Sequence, residues 1–124
     1  MELTTHIDLD ADKSLARVAL IGSLNTDTAP GFALRLDEAI AAEMDLTVLD
    51  MAELDYISSA GLRVIFKAAK QIKGAERKLA AANRKPHIDK VFEILKALPD
   101  IAVFADDSEM DEYLTAMQDQ VRDE

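Results

Sequence analysis

The chain has 124 residues, 49% of them hydrophobic, which suits one compact domain with a single core rather than two. Its 24 acidic residues outnumber 14 Lys and Arg, and a net charge of -10 opposes binding to the phosphate backbone of nucleic acid or to an anionic membrane surface. Cysteine is absent, which excludes disulfides, thiolate catalysis and cysteine metal sites and suits a reducing cytoplasm.

No stretch approaches the roughly 20 apolar residues that cross a bilayer, and the opening MELTTHIDLD lacks the basic and apolar regions of a signal sequence. The expectation is a soluble cytoplasmic protein. From Leu3 to Gly22, apolar and polar residues alternate around DADKS, which predicts two strands in a hairpin. NTDTAP predicts a helix start: Thr28 or Asp27 can accept from free backbone N–H groups, and Pro30 suits a first turn, where its missing N–H has no intrahelical partner. Phe32, Leu36, Ala39, Ile40 and Met44 share one face of the helix that follows.

LTVLDM, Leu46 to Met51, reads as a buried strand. Helical spacing returns from Ala60 to Lys73, with Leu62, Ile65, Phe66, Ala69 and Ile72 inward and Arg63, Lys67, Lys70 and Lys73 outward; Gly74 ends it. KLAAAN reads as a strand from its place between two helical segments. Pro86 opens a third helix with Ile88, Val91, Phe92 and Leu95 in its stripe, and Pro99 stops it. IAVFA, Ile101 to Ala105, is the last strand. Ser108 with Asp111 forms a capping box for a closing helix whose apolar face holds Met110, Tyr113, Leu114, Met117 and Val121. The order ββαβαβαβα over residues 1–124 predicts one α/β domain: a mixed central sheet, antiparallel at its opening hairpin and parallel where helices cross over, with each helix laid on the sheet.

Within LDYISSAGLRVIF, Ser58 and Ser59 fall where a helix leaves backbone N–H groups unpaired, so an ordinary N-cap explains one hydroxyl. A second hydroxyl follows at once, and Ala60 and Gly61 leave the first turn bare, although Gly costs about 1 kcal/mol against Ala within a helix. Small residues there permit close approach by another molecule. A serine hydrolase would need an imidazole base, and only His6 and His87 are present; SSAGL also lacks the Gly-x-Ser-x-Gly elbow, so both histidines read as ordinary surface or core residues. No spacing fits an EF-hand loop or a His-Glu-x-x-His metal site, DLDAD reads as a polar turn, and no cofactor is called for. The basic stripe on the second helix and the acidic residues after Asp106 read as solvated faces, with docking as the alternative.

LDMAELDYISSAGLRVIF resembles the signature of the STAS domain of bacterial anti-anti-sigma factors: a buried strand, a short acidic and apolar loop, then Asp or Ser, Ser, a small residue, Gly-Leu and a helix. GSLNTDTAP is similar to the family's Gly-x-Leu-Asp segment, and KPHIDKVFEIL through IAVFADDSEMDEYL to its closing elements. The resemblance implies a STAS-like fold and a non-enzymatic anti-sigma factor antagonist. Such a protein binds an anti-sigma factor serine kinase, is released when Ser59 is phosphorylated, and is reset by a serine phosphatase. The partner-binding patch it implies is Ser58, Ser59, Ala60 and Gly61, flanked by Asn25, Asp27 and Thr28, with Asn83 and Arg84 as additions from the turn before the third helix. Ser58 and Asn25 stand where many members carry Asp. The other reading is a STAS scaffold or accessory subunit of a larger complex such as a transporter, working without phosphorylation.

Overall fold

The computed structural model describes residues 2–95 and 101–103, with side chains as far as Val91. Strands β1 (Leu3–Asp10) and β2 (Leu15–Leu24) form the expected hairpin, with Leu3 opposite Gly22 and Asp10 opposite Leu15. Its turn uses local polar groups: the Lys13 N–H donates to Asp10 Oδ1 at 3.2 Å, and Ser14 takes the left-handed φ of 50°. Helix α1 (Ala29–Ala41), β3 (Leu46–Ile57), α2 (Ser59–Gly74), β4 (Lys78–Ala82), α3 (Pro86–Leu95) and β5 (Ile101–Val103) follow. The five strands lie in the order β1-β2-β3-β4-β5, parallel throughout except for β1 against β2.

Because each crossover from β2 to β5 moves one strand in the same direction, right-handed connections put all three helices on one face of the sheet. The principal core agrees. Phe32, Leu36 and Ile40 of α1, Ile65, Ala69 and Ile72 of α2 and Ile88 of α3 pack with Val18, Leu20, Leu49, Met51, Leu79 and Ala81 of the strands. A smaller buried cluster, Leu15, Leu46, Val48, Ala80 and Ala82, occupies alternate positions on the opposite face. The alanines of β4, poor strand formers by propensity, are fully buried, so this central strand is held by its two neighbours and by packing.

Three boundaries differ from expectation. Helix α1 stops at Ala41, and Met44 lies beyond it, after Glu43 in the left-handed region, yet still packs against the core. Gly74 is the last residue of α2, and the left-handed residue after that helix is Glu76, so no glycine conformation ends it. The largest change is in β3, which runs on through Ile57 because Ile21 to Leu24 of the long β2 supply partners. Register shifts between Ala19 and Ile21 and between Gly22 and Ser23 accommodate a segment whose side chains do not alternate strictly. The closing helix expected from Ser108 onward, and Phe104 and Ala105 of the last predicted strand, lie outside the described residues.

Gly22 shows how closely the edge of the sheet is fitted. Its φ is 112°, and a Cβ there would collide with the backbone carbonyl of Glu2, which already accepts from the Ser23 N–H at 3.1 Å. Gly22→Ala is therefore expected to cost about 2 kcal/mol in urea denaturation. A second measurement locates the damage: amide exchange should rise first in β1.

Candidate functional site

The site forms where β2 and β3 end side by side. Leu24 pairs with Ile57, and the Ser58 N–H donates to the Leu24 carbonyl at 2.8 Å, so the β2–α1 turn and the mouth of α2 are joined by backbone. Ser58 has extended φ and ψ of -97° and 169°, and its Oγ accepts from the Gly61 N–H at 3.2 Å. It is the N-cap. Ser59, the first residue of α2, is exposed, and its hydroxyl makes no hydrogen bond among the described residues. The first turn of α2 holds no acidic residue, which leaves the positive end of the helix dipole uncompensated beside Ser59.

In the neighbouring turn, the expected capping by Thr28 or Asp27 is replaced by a tighter arrangement. Thr28 is the N-cap of α1 by backbone position but makes no side-chain cap; its hydroxyl donates to the Ser23 carbonyl at 2.8 Å. Asn25 Oδ1 accepts from the Asp27 N–H at 2.9 Å and the Thr28 N–H at 3.0 Å, which closes the turn ahead of the helix and leaves α1 without a side-chain cap. An amide oxygen does here what a carboxylate would, without its charge. The Ser58 cap and the Asn25 turn are thus both closed by neutral oxygens.

Gly61 has an internal reason for being glycine. It is buried, and a Cβ on it would lie 2.5 Å from Leu24 Cγ and 2.7 Å from Cδ2. Ala60 is half-buried and also packs against the core. The bare turn therefore serves the contact of α2 with β2. Of the four residues from Ser58 to Gly61, Ser59 is the exposed one, and Gly61 offers a partner no surface.

Asn83 and Arg84 make their described contacts at Asp50 of β3 and within the β4–α3 turn. Strand β4 ends with Ala82 opposite Asp50, seven residues before Ile57 along β3. Asn83, left-handed at φ 61°, donates from Nδ2 to Asp50 Oδ1 at 3.2 Å, while Arg17 pairs with Asp50 Oδ2 at 3.2 Å. The Arg84 side chain is only 6% exposed; it pairs with Asp89 at 2.9 Å and donates to the Ala81 carbonyl at 3.1 Å. Both residues secure the β4–α3 turn.

The approach to α3 makes a contact with β3 that the sequence did not disclose. Lys85 forms an ion pair with Asp55, and His87 Nε2 lies 2.5 Å from the Asp55 carbonyl oxygen, close enough for its ring N–H to donate. Together they fasten the projecting part of β3 to the start of α3, and Tyr56, the next residue, is 51% exposed. No spacing rule links residues about 30 apart; only the crossover brings them together. The hydrogen bond from Lys85, and then its positive charge, hold the Asp55 carboxyl below its ordinary value of 3.8. A depressed carboxyl contributes its stabilisation above 3.8 and loses it as the pH falls through the lower folded value. In a carbon-13 carboxyl titration Asp55 is expected to ionise below 3.8 and to move upward in Lys85→Gln; an unchanged midpoint would remove the clip.

No described helix is long and apolar enough to cross a membrane. The STAS domain family matches residues 6–110 of this sequence. Over 92 residues the chain is 37% identical to a Bordetella bronchiseptica protein named anti-sigma factor antagonist BtrV, a match covering 71% of this chain and 76% of that protein. Its fold is similar to that of an anti-sigma factor antagonist from Mycobacterium paratuberculosis, with TM-score 0.77, 18% identity and 94% of each chain covered. It is also similar to the phosphorylated form of the Bacillus cell fate determinant SpoIIAA, with TM-score 0.66, 14% identity, and 89% of this chain and 99% of that chain covered. Since the family match spans most of the chain and the Bordetella relative aligns over most of both lengths, this chain is a STAS-domain protein of the anti-sigma factor antagonist family.

Proposed function

We propose that the protein is a cytoplasmic anti-sigma factor antagonist. It binds an anti-sigma factor serine kinase through the Ser58–Ser59 turn, is released when that kinase phosphorylates Ser59, and is restored by a serine phosphatase. The observation that carries this reading is the division of labour between the two serines. Ser58 is occupied as the cap, whereas the Ser59 hydroxyl is exposed at a helix N-terminus with no carboxylate in its first turn.

The chemistry supports a switch rather than catalysis. Phosphorylation adds about -1.5 to -2 charge and strong acceptor oxygens, and the free N–H groups and dipole of α2 favour that charge, so the fold tolerates it. A partner surface that had closed over the turn would have to bury the phosphate or meet it with a cation. Asn25, Asp27 and Thr28 border the same surface, and exposed Tyr56 supplies an aromatic contact of the kind that anchors interfaces. Nucleophilic use of Ser59 has no support: His87 is engaged with the Asp55 carbonyl, and His6 sits on β1 opposite Ala19. The name of the Bordetella relative and the phosphorylated state of the SpoIIAA neighbour point the same way.

Incubation with anti-sigma factor kinases and ATP, followed by mass spectrometry of the peptide containing Ser58 and Ser59, tests the reading. Phosphate on Ser59 alone is the expected result. Stable capture by transporter subunits with no phosphate uptake would replace it with an accessory-subunit role.

A further inference from the structure

We propose that the groove between α1 and α2 is a second docking site, which takes an acidic amphipathic segment of a partner protein. Ala33, Leu36, Val64 and Ala68 give the groove an apolar floor, with Asp37 on the α1 wall and Arg63 and Lys67 on the α2 wall. Its volume is about 230 Å³, below the roughly 300–1,000 Å³ of small-molecule sites, so side chains of a docked segment fit it better than a free ligand does. Leu34 stands one turn before Asp37 on the outer side of α1 and is 68% exposed, which extends the apolar surface outward.

Charge identifies the occupant. Arg17, Arg35, Arg84 and Lys85 each have a carboxylate partner. Among the described residues Arg63, Lys67 and Lys70 have none, although the chain carries an acidic excess of ten. These cations share the outward ridge of α2, and Arg63 and Lys67 form one side of the groove. Three uncommitted cations beside an apolar floor complement a segment with carboxylates along one edge and apolar side chains beneath; Asp37 orients it by keeping those carboxylates on the α2 side. A net charge of -10 repels an extended anionic membrane surface more than a short segment, whose few carboxylates lie within a screening length of the α2 cations. The site does not depend on the chemistry of Ser59.

The test is a titration of the full nitrogen-15-labelled chain, followed by amide NMR. The probe is a synthetic acidic peptide of about 14 residues with leucines on one helical face and glutamates on the other. Controls are the same peptide with lysines for glutamates, and vesicles of phosphatidylserine and phosphatidylcholine. The expected result is saturable shifts confined to residues 33–37 and 63–71, weakened by salt and reduced about tenfold or more in the double variant R63E/K67E. Ala33→Gln, which fills the groove without changing its charge, should also weaken binding. Unfolding is not a rival explanation, because both cations are exposed and Glu is as good a helix former; circular dichroism of the double variant checks this. No binding, equal binding of the lysine peptide, shifts on another face, or vesicle binding in place of peptide binding would each overturn the proposal.

Discussion

Phosphorylation of Ser59 is expected to weaken binding to the anti-sigma factor kinase by roughly a hundredfold, equivalent to about 3 kcal/mol, without unfolding the protein. The two effects separate because the phosphate meets different surroundings in the two states. In the free protein it lies at the open N-terminus of α2, exposed to water and beside the neutral Ser58 cap. In the proposed complex the same dianion would be stripped of water against a surface that had fitted a hydroxyl. Ser59→Asp carries about half the charge and lacks the phosphate geometry, so a smaller loss, about tenfold, is expected. Ser59→Ala should bind as tightly as the unmodified protein and show no response to ATP. Calorimetric titration of the variants and of enzymatically phosphorylated protein against the kinase measures all of these. Equal affinity of the phosphorylated and unmodified forms would end the switch mechanism, whereas loss of thermal stability on phosphorylation would show instead that the fold itself is the target.

Gly61→Val should destabilise the domain by about 3 kcal/mol and displace the Ser59 turn with it. A Cβ at this position falls 2.5 Å from Leu24 Cγ, the branching carbon of a fully buried side chain and not a flexible tip. Neither partner has room to retreat, since Leu24 is held at its backbone by Ser58 and at its side chain by the core. The diagnostic variant is the double substitution. Leu24→Ala alone opens a cavity and costs about 2–5 kcal/mol, but it vacates the volume that the introduced valine side chain would need. The pair should therefore be more stable than the sum of the singles by about 2 kcal/mol, and additive losses would show that Gly61 is not there for this contact. Kinase binding by the double variant then asks whether the turn regains its geometry.

The elements were legible where one chain segment carried its own signal. The alternation of β1 and β2, Pro30 at the head of α1 and the stripe through Ile65, Ala69 and Ile72 each predict their structure locally. Handedness and chain order then fixed the side of the sheet on which the helices lie. Strand β3 is longer than its sequence pattern predicts because AELDYI lacks the continuous apolar run of LTVLDM; the extension exists because β2 is long enough to pair with it. That one of the two serines caps α2 was readable from their place before an apolar stripe; the structure gives the cap to Ser58 and leaves Ser59 exposed as the first helical residue.

Ser58 before an apolar helical stripe, a bare first turn, an excess of acid and no cysteine were determined by the amino-acid sequence itself, because capping, periodicity and charge act over a few residues or as a plain sum. Tertiary structure alone decided that Gly61 answers to Leu24, that Thr28 turns its hydroxyl to the Ser23 carbonyl instead of capping α1, that Asn83 and Arg84 brace the β4–α3 turn, and that Asp55 meets Lys85 and His87. Apart from the Thr28 and Arg84 contacts, which stay within their own turns, these contacts join atoms on different elements. Their distances are set by strand register and by the crossing of helices over the sheet, which no short window of sequence encodes.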